Sequence, residues 1–355
     1  MEELTIAKEV LARKSASIKK KHKQSRWYTK ELKSLLGNDW AMFYGILGGR
    51  MTGKSYALTE FLCNQKKKKK DKVKNYWLRI SETSTKFMLA NKAQRLVDPD
   101  LVRKYNLELT TKGTEVFDHD KPFMTVMPLS AMAKLKGVAF YDKDFDGEYN
   151  IVLDEFQLEQ GERKTSFNIL YNFIGMIENI ARTTKNKIRI FLVGNTLEEA
   201  STILRAFNFL PDGFGRFYLK RKRCIIDNIE PTEEYLKDRK GSAADILGGN
   251  EMSNYTNELR RDLSLIKRTR LSKPSYLIKF GKTKDKCYIV WENNTITRYK
   301  GQPIASTIAM RPYLDDRYNP ERRQLVLDLF DAQAYKFDTL ITLSYFQGDL
   351  QQIRK

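Results

Sequence analysis

An apolar run, Ala41 to Leu47, leads into the octapeptide Gly48-Gly-Arg-Met-Thr-Gly-Lys-Ser55, and a stretch compatible with a helix follows it. Few folds accommodate that succession. The glycines let the backbone curl until successive N–H groups turn into one concavity, and the following helix adds the partial positive charge of its N-terminus. This is the P-loop pattern, a cradle for phosphate oxygens. Gly48, Gly49, Arg50, Met51, Thr52, Gly53, Lys54 and Ser55 are therefore expected to bind ATP. Lys54 would reach the β- and γ-phosphates, and the Ser55 hydroxyl would complete the shell of a Mg²⁺ ion. The competing reading is a glycine-rich turn with a solvated lysine, and the strand-loop-helix placement argues against it.

Two further strand ends carry polar groups. Ile151-Val-Leu-Asp-Glu155 closes an apolar run on two carboxylates, where the C-terminal edge of a parallel sheet binds ligands. Asp154 is expected to help hold Mg²⁺, and Glu155 to polarise a water for attack on the γ-phosphate. Ile188-Arg-Ile-Phe-Leu-Val-Gly-Asn195 ends on an amide that could sense that phosphate or could simply be a turn residue. Tyr76 to Ile80 and Met124 to Met127 are further strand candidates. Short continuous apolar runs of this kind suit a parallel sheet covered on both faces, so the class is α/β. Hydrolysis also needs a cation against the transition state. Arg50 could supply it from within the loop, and Arg182, Lys185, Lys134 and Lys136 flank the motifs. Taken singly, each of these reads more readily as a solvated surface cation. Tyr28 or Trp27 could stack on adenine or belong to the core.

The rest of the chain sets the setting. Its 355 residues are enough for two domains. The 64 Lys and Arg against 44 Asp and Glu leave a net charge of +20, which favours a polyanionic partner, most commonly nucleic acid. No stretch approaches the ~20 apolar residues that span a bilayer, and no secretory leader is expected. Three cysteines and two histidines without paired spacing speak against a disulfide framework or a zinc cluster. Residues 1–26 read as a basic leader and 27–225 as the nucleotide domain. Residues 226–271 read as a linker region broken by Gly241 and Gly248-Gly249, and 272–355 as a separate α+β domain. In that last part Tyr276 to Phe280 and Cys287 to Trp291 are strand candidates. A helix is expected from Pro320, with Leu325, Leu329 and Ala332 on one face. The Lys66 to Lys70 run reads as a solvated helix end or a nucleic-acid-facing tract.

Taken in order, Gly48 to Ser55 with its internal arginine, Tyr76-Trp-Leu-Arg79, Pro128-Leu-Ser130, Leu153-Asp-Glu-Phe156, Val193-Gly-Asn195 and Leu210-Pro-Asp212 resemble the phi29-type phage DNA-packaging ATPases. The resemblance runs from about residue 27 to the C-terminus. It implies a P-loop NTPase of the additional-strand type with a mainly parallel sheet, a linker, and a C-terminal domain with a vestigial RNase H-like nuclease fold. It implies an ATP-driven motor moving double-stranded DNA into a prohead. The motor would be a homo-oligomeric ring, typically of five subunits, at the portal vertex in the host cytoplasm and not in the mature virion. A packaging RNA is a further partner of that family. The family's trans-acting cations fall near Arg182 or Lys185 and near Lys136. A helicase or replication-initiation ATPase would share the motifs through Asn195. No nuclease activity is expected, because Tyr276-Leu-Ile-Lys-Phe280 offers no carboxylate to begin a two-metal site.

Overall fold

The computed structural model describes residues 28–133, 144–156, 167–182, 186–195, 202–211, 213–243, 246, 263–267, 273–280, 286–299 and 320–353. The basic leader, Trp27, Lys134, Lys136 and Lys185 lie outside these residues. Within them the chain divides into two compact units. The first is drawn from Met1–Glu198 and Gly213–Leu259, the second from Glu199–Asp212 and Arg260–Lys355.

The first unit is built on a nine-stranded sheet. Helix α1 (Thr29–Leu36) precedes strand β1 (Phe43–Leu47), and the P-loop leads from β1 into α2 (Lys54–Lys69). Strand β2 (Val73–Arg79) follows, then α3 (Glu82–Ala93), α4 (Pro99–Tyr105) and the strands β3 (Leu109–Lys112), β4 (Glu115–Asp118) and β5 (Lys121–Pro128). Strand β6 (Glu148–Asp154), α5 (Ile169–Ala181) and β7 (Ile188–Gly194) come next. Strands β8 (Gly215–Leu219) and β9 (Cys224–Asn228) and helix α7 (Glu233–Arg239) complete the unit. The order across the sheet is β3-β4-β5-β2-β6-β7-β1-β9-β8. From β5 to β9 all neighbours are parallel, and antiparallel strands close both sides. Strand β7 lies between β1 and β6, so an additional strand separates the P-loop from the acidic strand end.

The boundary expected at residue 225 falls inside β9. Ile226, Asp227 and Asn228 pair with Gly45, Ile46 and Leu47, so the start of the supposed linker is a strand of the sheet, next to β1 and one in from the edge. The stretch read as a linker from its glycines, but Asp227 and Asn228 at its start are buried and bonded. Tyr28 needs a second correction. It is wholly buried, and its hydroxyl donates to Asp227, so its ring has no exposed face for a base. Burial, followed by the Asp227 charge, pushes the Tyr28 phenol well above its usual range. Arg216 donates to Asp227 (2.9 Å), to the Ser34 hydroxyl (3.1 Å) and to the Glu31 carbonyl (3.2 Å). This buried knot fastens α1 to the β8–β9 side of the sheet.

The second unit carries α6 (Thr202–Ala206), the antiparallel strands β10 (Pro274–Lys279), β11 (Cys287–Trp291) and β12 (Thr295–Arg298), and β13 (Lys336–Phe337) parallel to β12. Helices α8 (Pro320–Asp331) and α9 (Leu340–Ile353) accompany them. Phe346 of α9 packs its ring against Phe280, Tyr288, Phe330, Tyr335 and Phe337. The face expected for α8 is overturned: Leu325 and Ala332 are exposed, while Val326 is buried and Phe330 joins the aromatic cluster. Filling space around Phe346 outweighs the weaker apolar repeat of the other face. Residues 202–211 join this unit through Tyr345, whose hydroxyl donates to the Arg205 carbonyl (3.0 Å) and whose ring lies under the guanidinium of Arg298 (3.6 Å). Among the described residues no helix is long and apolar enough to cross a membrane.

Asp227→Ala would leave the Arg216 guanidinium buried without its charge partner. It should lower the stability of the first unit by about 3–5 kcal/mol, read as a shift in the unfolding midpoint. Tyr28→Phe, which removes only the donated bond, should cost about 1.5–3 kcal/mol. Equal midpoints for parent and Asp227→Ala would show that the knot contributes nothing.

Candidate functional site

Parallel pairing brings the chain's polar strand ends to one edge. Leu47 is opposite Gly194, Val193 opposite Asp154, and Leu153 opposite Leu78. The residues just beyond those pairs (Gly48, Asn195, Glu155 and Arg79) therefore follow one another along the edge. Backbone bonds lock the exits: Gly48 N–H donates to the Gly194 carbonyl (3.2 Å), and Phe156 N–H to the Val193 carbonyl (3.2 Å).

The P-loop folds as its composition demands. Gly53 sits at φ 85°, a region closed to most side chains, and there the loop turns into α2. A Cβ on Gly48 would stand 3.0 Å from the Ile229 side chain, so any larger residue there would press on Ile229 and make it give way. Met51 also has positive φ (64°) and is largely exposed at the loop's tip. The Thr52 hydroxyl donates across the loop to the Gly49 carbonyl (3.0 Å). Lys54 opens α2 and is buried; its ammonium donates to the carbonyls of Gly48 (2.8 Å) and Gly49 (2.7 Å). Burial drives the Lys54 ammonium down to about 7, opposed by the charges of Asp154 and Glu155 and reinforced by Arg50. Ser55 is exposed in the first turn of the same helix.

Asp154 ends β6, and burial raises its carboxyl above the usual range, against the pull of the Arg79 charge. Glu155 is the next residue, exposed, in a left-handed turn (φ 53°). Arg79, at the end of β2, lies between them. Its Nε is 3.6 Å from Asp154, and a terminal guanidinium nitrogen is paired with Glu155. The motif reading did not assign Arg79 a role. The available signal was a cation closing an apolar strand, the mirror of Asp154 closing β6. Among the described residues no three His, Cys, Asp or Glu side chains converge on a metal position. A buried carboxylate at the end of β6 and an exposed serine hydroxyl at the start of α2 are donor types suited to Mg²⁺, which keeps several waters and takes phosphate oxygens as ligands.

Asn195 is partly exposed just beyond β7, between the P-loop strand and the acidic strand. Arg182 is not brought to this edge. It caps the C-terminal end of α5. A crossover helix between two parallel strands runs back along the sheet, so its C-terminus lies at the edge where β7 begins. The Lys66 to Lys69 run is the last turn of α2, where cations favour the helix dipole; Lys69 also pairs with Glu148 (2.7 Å).

No protein-family model matches the chain, and no curated protein matches it. Solved structures do. A chain of the bacteriophage Phi-29 viral genome packaging motor assembly matches 93% of this chain over 100% of its own length, with a TM-score of 0.65 and 18% identity. The Phi-28 DNA packaging motor matches 93% of this chain over 97% of its own, with a TM-score of 0.60 and 15% identity. The chain shares the fold of these packaging-motor proteins, a mixed α/β architecture with a large, mainly parallel sheet.

The buried Lys54 yields a pH test. Its folded pKa lies below the usual lysine value, so between about pH 7 and pH 10.5 Lys54 holds less proton in the folded chain than in the unfolded one, and its own contribution to stability rises with pH across that window. A polyphosphate bound against Lys54 would restore the charged ammonium, so its binding should take up about one proton at about pH 8.5 and weaken as pH rises. Calorimetry in buffers of differing ionisation enthalpy reads the uptake directly. A binding heat independent of buffer would contradict it.

Proposed function

We propose that this chain is an ATP-driven motor that moves double-stranded viral DNA into a preformed prohead. The observation that carries the reading is the full-length likeness to packaging-motor chains, on a sheet edge that gathers Lys54, Asp154, Glu155 and Arg79. In this reading the first unit is an additional-strand P-loop ATPase. The last part of the chain, from about residue 272, is a vestigial RNase H-like domain without nuclease activity, preceded by a linker region.

Gly48 to Lys54 bind the triphosphate, and Lys54 exchanges its bonds to the loop carbonyls for phosphate oxygens. A Mg²⁺ ion held by Ser55 and Asp154 supplies neutralising charge to the phosphates. Glu155 orients and polarises the attacking water, and Asn195 senses the γ-phosphate beside it. Because Glu155 is engaged by Arg79, it reaches a water only as that pairing loosens. Arg50 adds a cation in cis. Arg182, remote from its own P-loop, is suited to acting on a neighbouring subunit in a homo-oligomeric ring, with Lys185 and Lys136 as further trans-acting candidates. The ring has five members and works at the portal in the host cytoplasm. The net charge of +20 supports binding to DNA and to a packaging RNA through phosphates.

The decisive assay is ATP turnover with double-stranded against single-stranded DNA. Double-stranded DNA should stimulate more, independently of sequence and with steep loss of affinity on adding salt. Preferential stimulation by single strands would point to a helicase instead. Lys54→Ala should abolish turnover and weaken nucleotide binding, whereas Glu155→Gln should retain bound ATP with turnover slowed by at least roughly 10²-fold. Equal loss of binding in both variants would remove Glu155 from the chemistry.

A further inference from the structure

Helix α7 is a short element outside every motif that pointed to the site, yet it touches the P-loop. The Tyr235 hydroxyl donates to the backbone carbonyl of Arg50 at 2.6 Å, across 185 residues of chain. The contact follows from the sheet. Strand β9 pairs with β1, so the chain leaving Asn228 runs beside Leu47. Ile229 N–H donates to the Leu47 carbonyl (2.8 Å), and the Ile229 side chain lies against Gly48. Thr232 then caps α7 by accepting the Tyr235 N–H (3.1 Å), which fixes Tyr235 in the first turn. The Arg239 guanidinium, one turn on, stands 5.8 Å from the centre of the tyrosine ring.

We propose that Tyr235 is a positioning residue of the nucleotide site, whose hydroxyl holds the Arg50–Met51 peptide in its phosphate-binding orientation. The inference rests on the nucleotide reading of the P-loop. A trans peptide is planar, with its C=O and N–H pointing opposite ways. Holding the Arg50 carbonyl outward on α7 keeps that oxygen out of the loop's concavity, where it would repel phosphate. The same bond turns the Met51 N–H the other way, to serve as one of the convergent donors of the cradle. Met51 has a φ of 64°, a conformation that side chains seldom adopt without outside support. The Thr52–Gly49 bond braces the loop from within, and Tyr235 braces it from without. A loop held in its binding form before phosphate arrives loses less freedom on binding.

The test is Tyr235→Phe in the full-length chain, which deletes the hydroxyl and keeps the ring. Fluorescent ADP and ATP should bind about 3- to 10-fold more weakly. KM for ATP should rise by a similar factor, with kcat changing less. The unfolding midpoint without nucleotide should stay with the parent's, while the rise produced by a fixed ADP concentration shrinks. A residue that only packs α7 would lower the first midpoint and leave affinity alone, and that result would overturn the proposal. So would parental Kd and KM values. Lys54→Ala measured alongside separates the two readings. If it loses nucleotide while Tyr235→Phe does not, only the Tyr235 assignment falls. If Lys54→Ala binds as the parent does, the nucleotide site itself is misread, and the proposal falls with it.

Discussion

A polar ladder buried at the start of the strands sets where the strands end. Asn150 on β6 is the register partner of both Asn75 on β2 and Arg189 on β7. Its amide donates to the Asn75 side-chain oxygen (3.0 Å), and it accepts from Arg189 (3.2 Å). Asn75 continues the line to the Phe123 carbonyl of β5, while Glu148 accepts from Arg189 and pairs with Lys69, both at 2.7 Å. Apolar strands alone specify register weakly when both faces are covered, because a slip exchanges one apolar contact for another. Here a slip would strand buried amides and a buried guanidinium, which makes it far more costly. The functional edge inherits that register. Gly48, Asn195, Glu155 and Arg79 adjoin because Asn75, Asn150 and Arg189 do so a strand's length away.

The edge itself is where local conformational preferences are overridden. Met51 and Glu155 both occupy left-handed backbone, at roughly 1–3 kcal/mol each, and Lys54 and Asp154 are charged groups taken out of water. Surrounding bonds hold them there: the Gly48–Gly194 and Phe156–Val193 backbone links, the loop carbonyls on Lys54, and Arg79 on the two carboxylates. Lys54 and Asp154 are already desolvated at the edge, and the bonds that Lys54 makes to the loop carbonyls and Glu155 to Arg79 are the ones that would have to be exchanged on binding a ligand.

Much of this was legible because it is local. The P-loop announces itself through glycines that the backbone path requires, and β1, β2, β5, β6 and β7 through short apolar runs. What was hidden depends on contacts between residues far apart in sequence. Strand β9 ends in Asp227 and Asn228, which look like turn residues until Arg216, Tyr28 and the Gly213 carbonyl take them up. Tyr28 resembles a base-stacking ring for the same reason: nothing local says that its partner is Asp227. Arg79 and Tyr235 gain their roles only from sheet order, which places β2 beside β6 and β9 beside β1. The α8 face was misread because Leu325 is as apolar as Val326, and only the cluster around Phe346 decides between them.

The charge arrangement at the edge also explains why this site suits a polyanion rather than a neutral ligand. Arg79 pairs with Asp154 and Glu155, and Lys54 feels the charges of both acids and of Arg50. That sets three cations against two carboxylates around a site in which Lys54 and Asp154 are buried and Glu155 is exposed. The surplus is met provisionally. Lys54 leans on backbone carbonyls, whose dipoles compensate an ammonium less well than a full charge, and burial accordingly drives its pKa down. Arg79 is committed to both acids, so each acid is partly quenched by the same guanidinium. In the proposed function a triphosphate would supply the missing negative charge at Lys54 and Arg50, and a divalent cation held by Asp154 would compete with Arg79 for that carboxylate. Relieved at Asp154, Arg79 and Glu155 can redistribute without leaving either charge unpaired. A neutral ligand would relieve none of these strains, and an anion without a cation would correct only the lysine side. On the proposed function, this charge arrangement would suit a metal-bound polyphosphate as a whole.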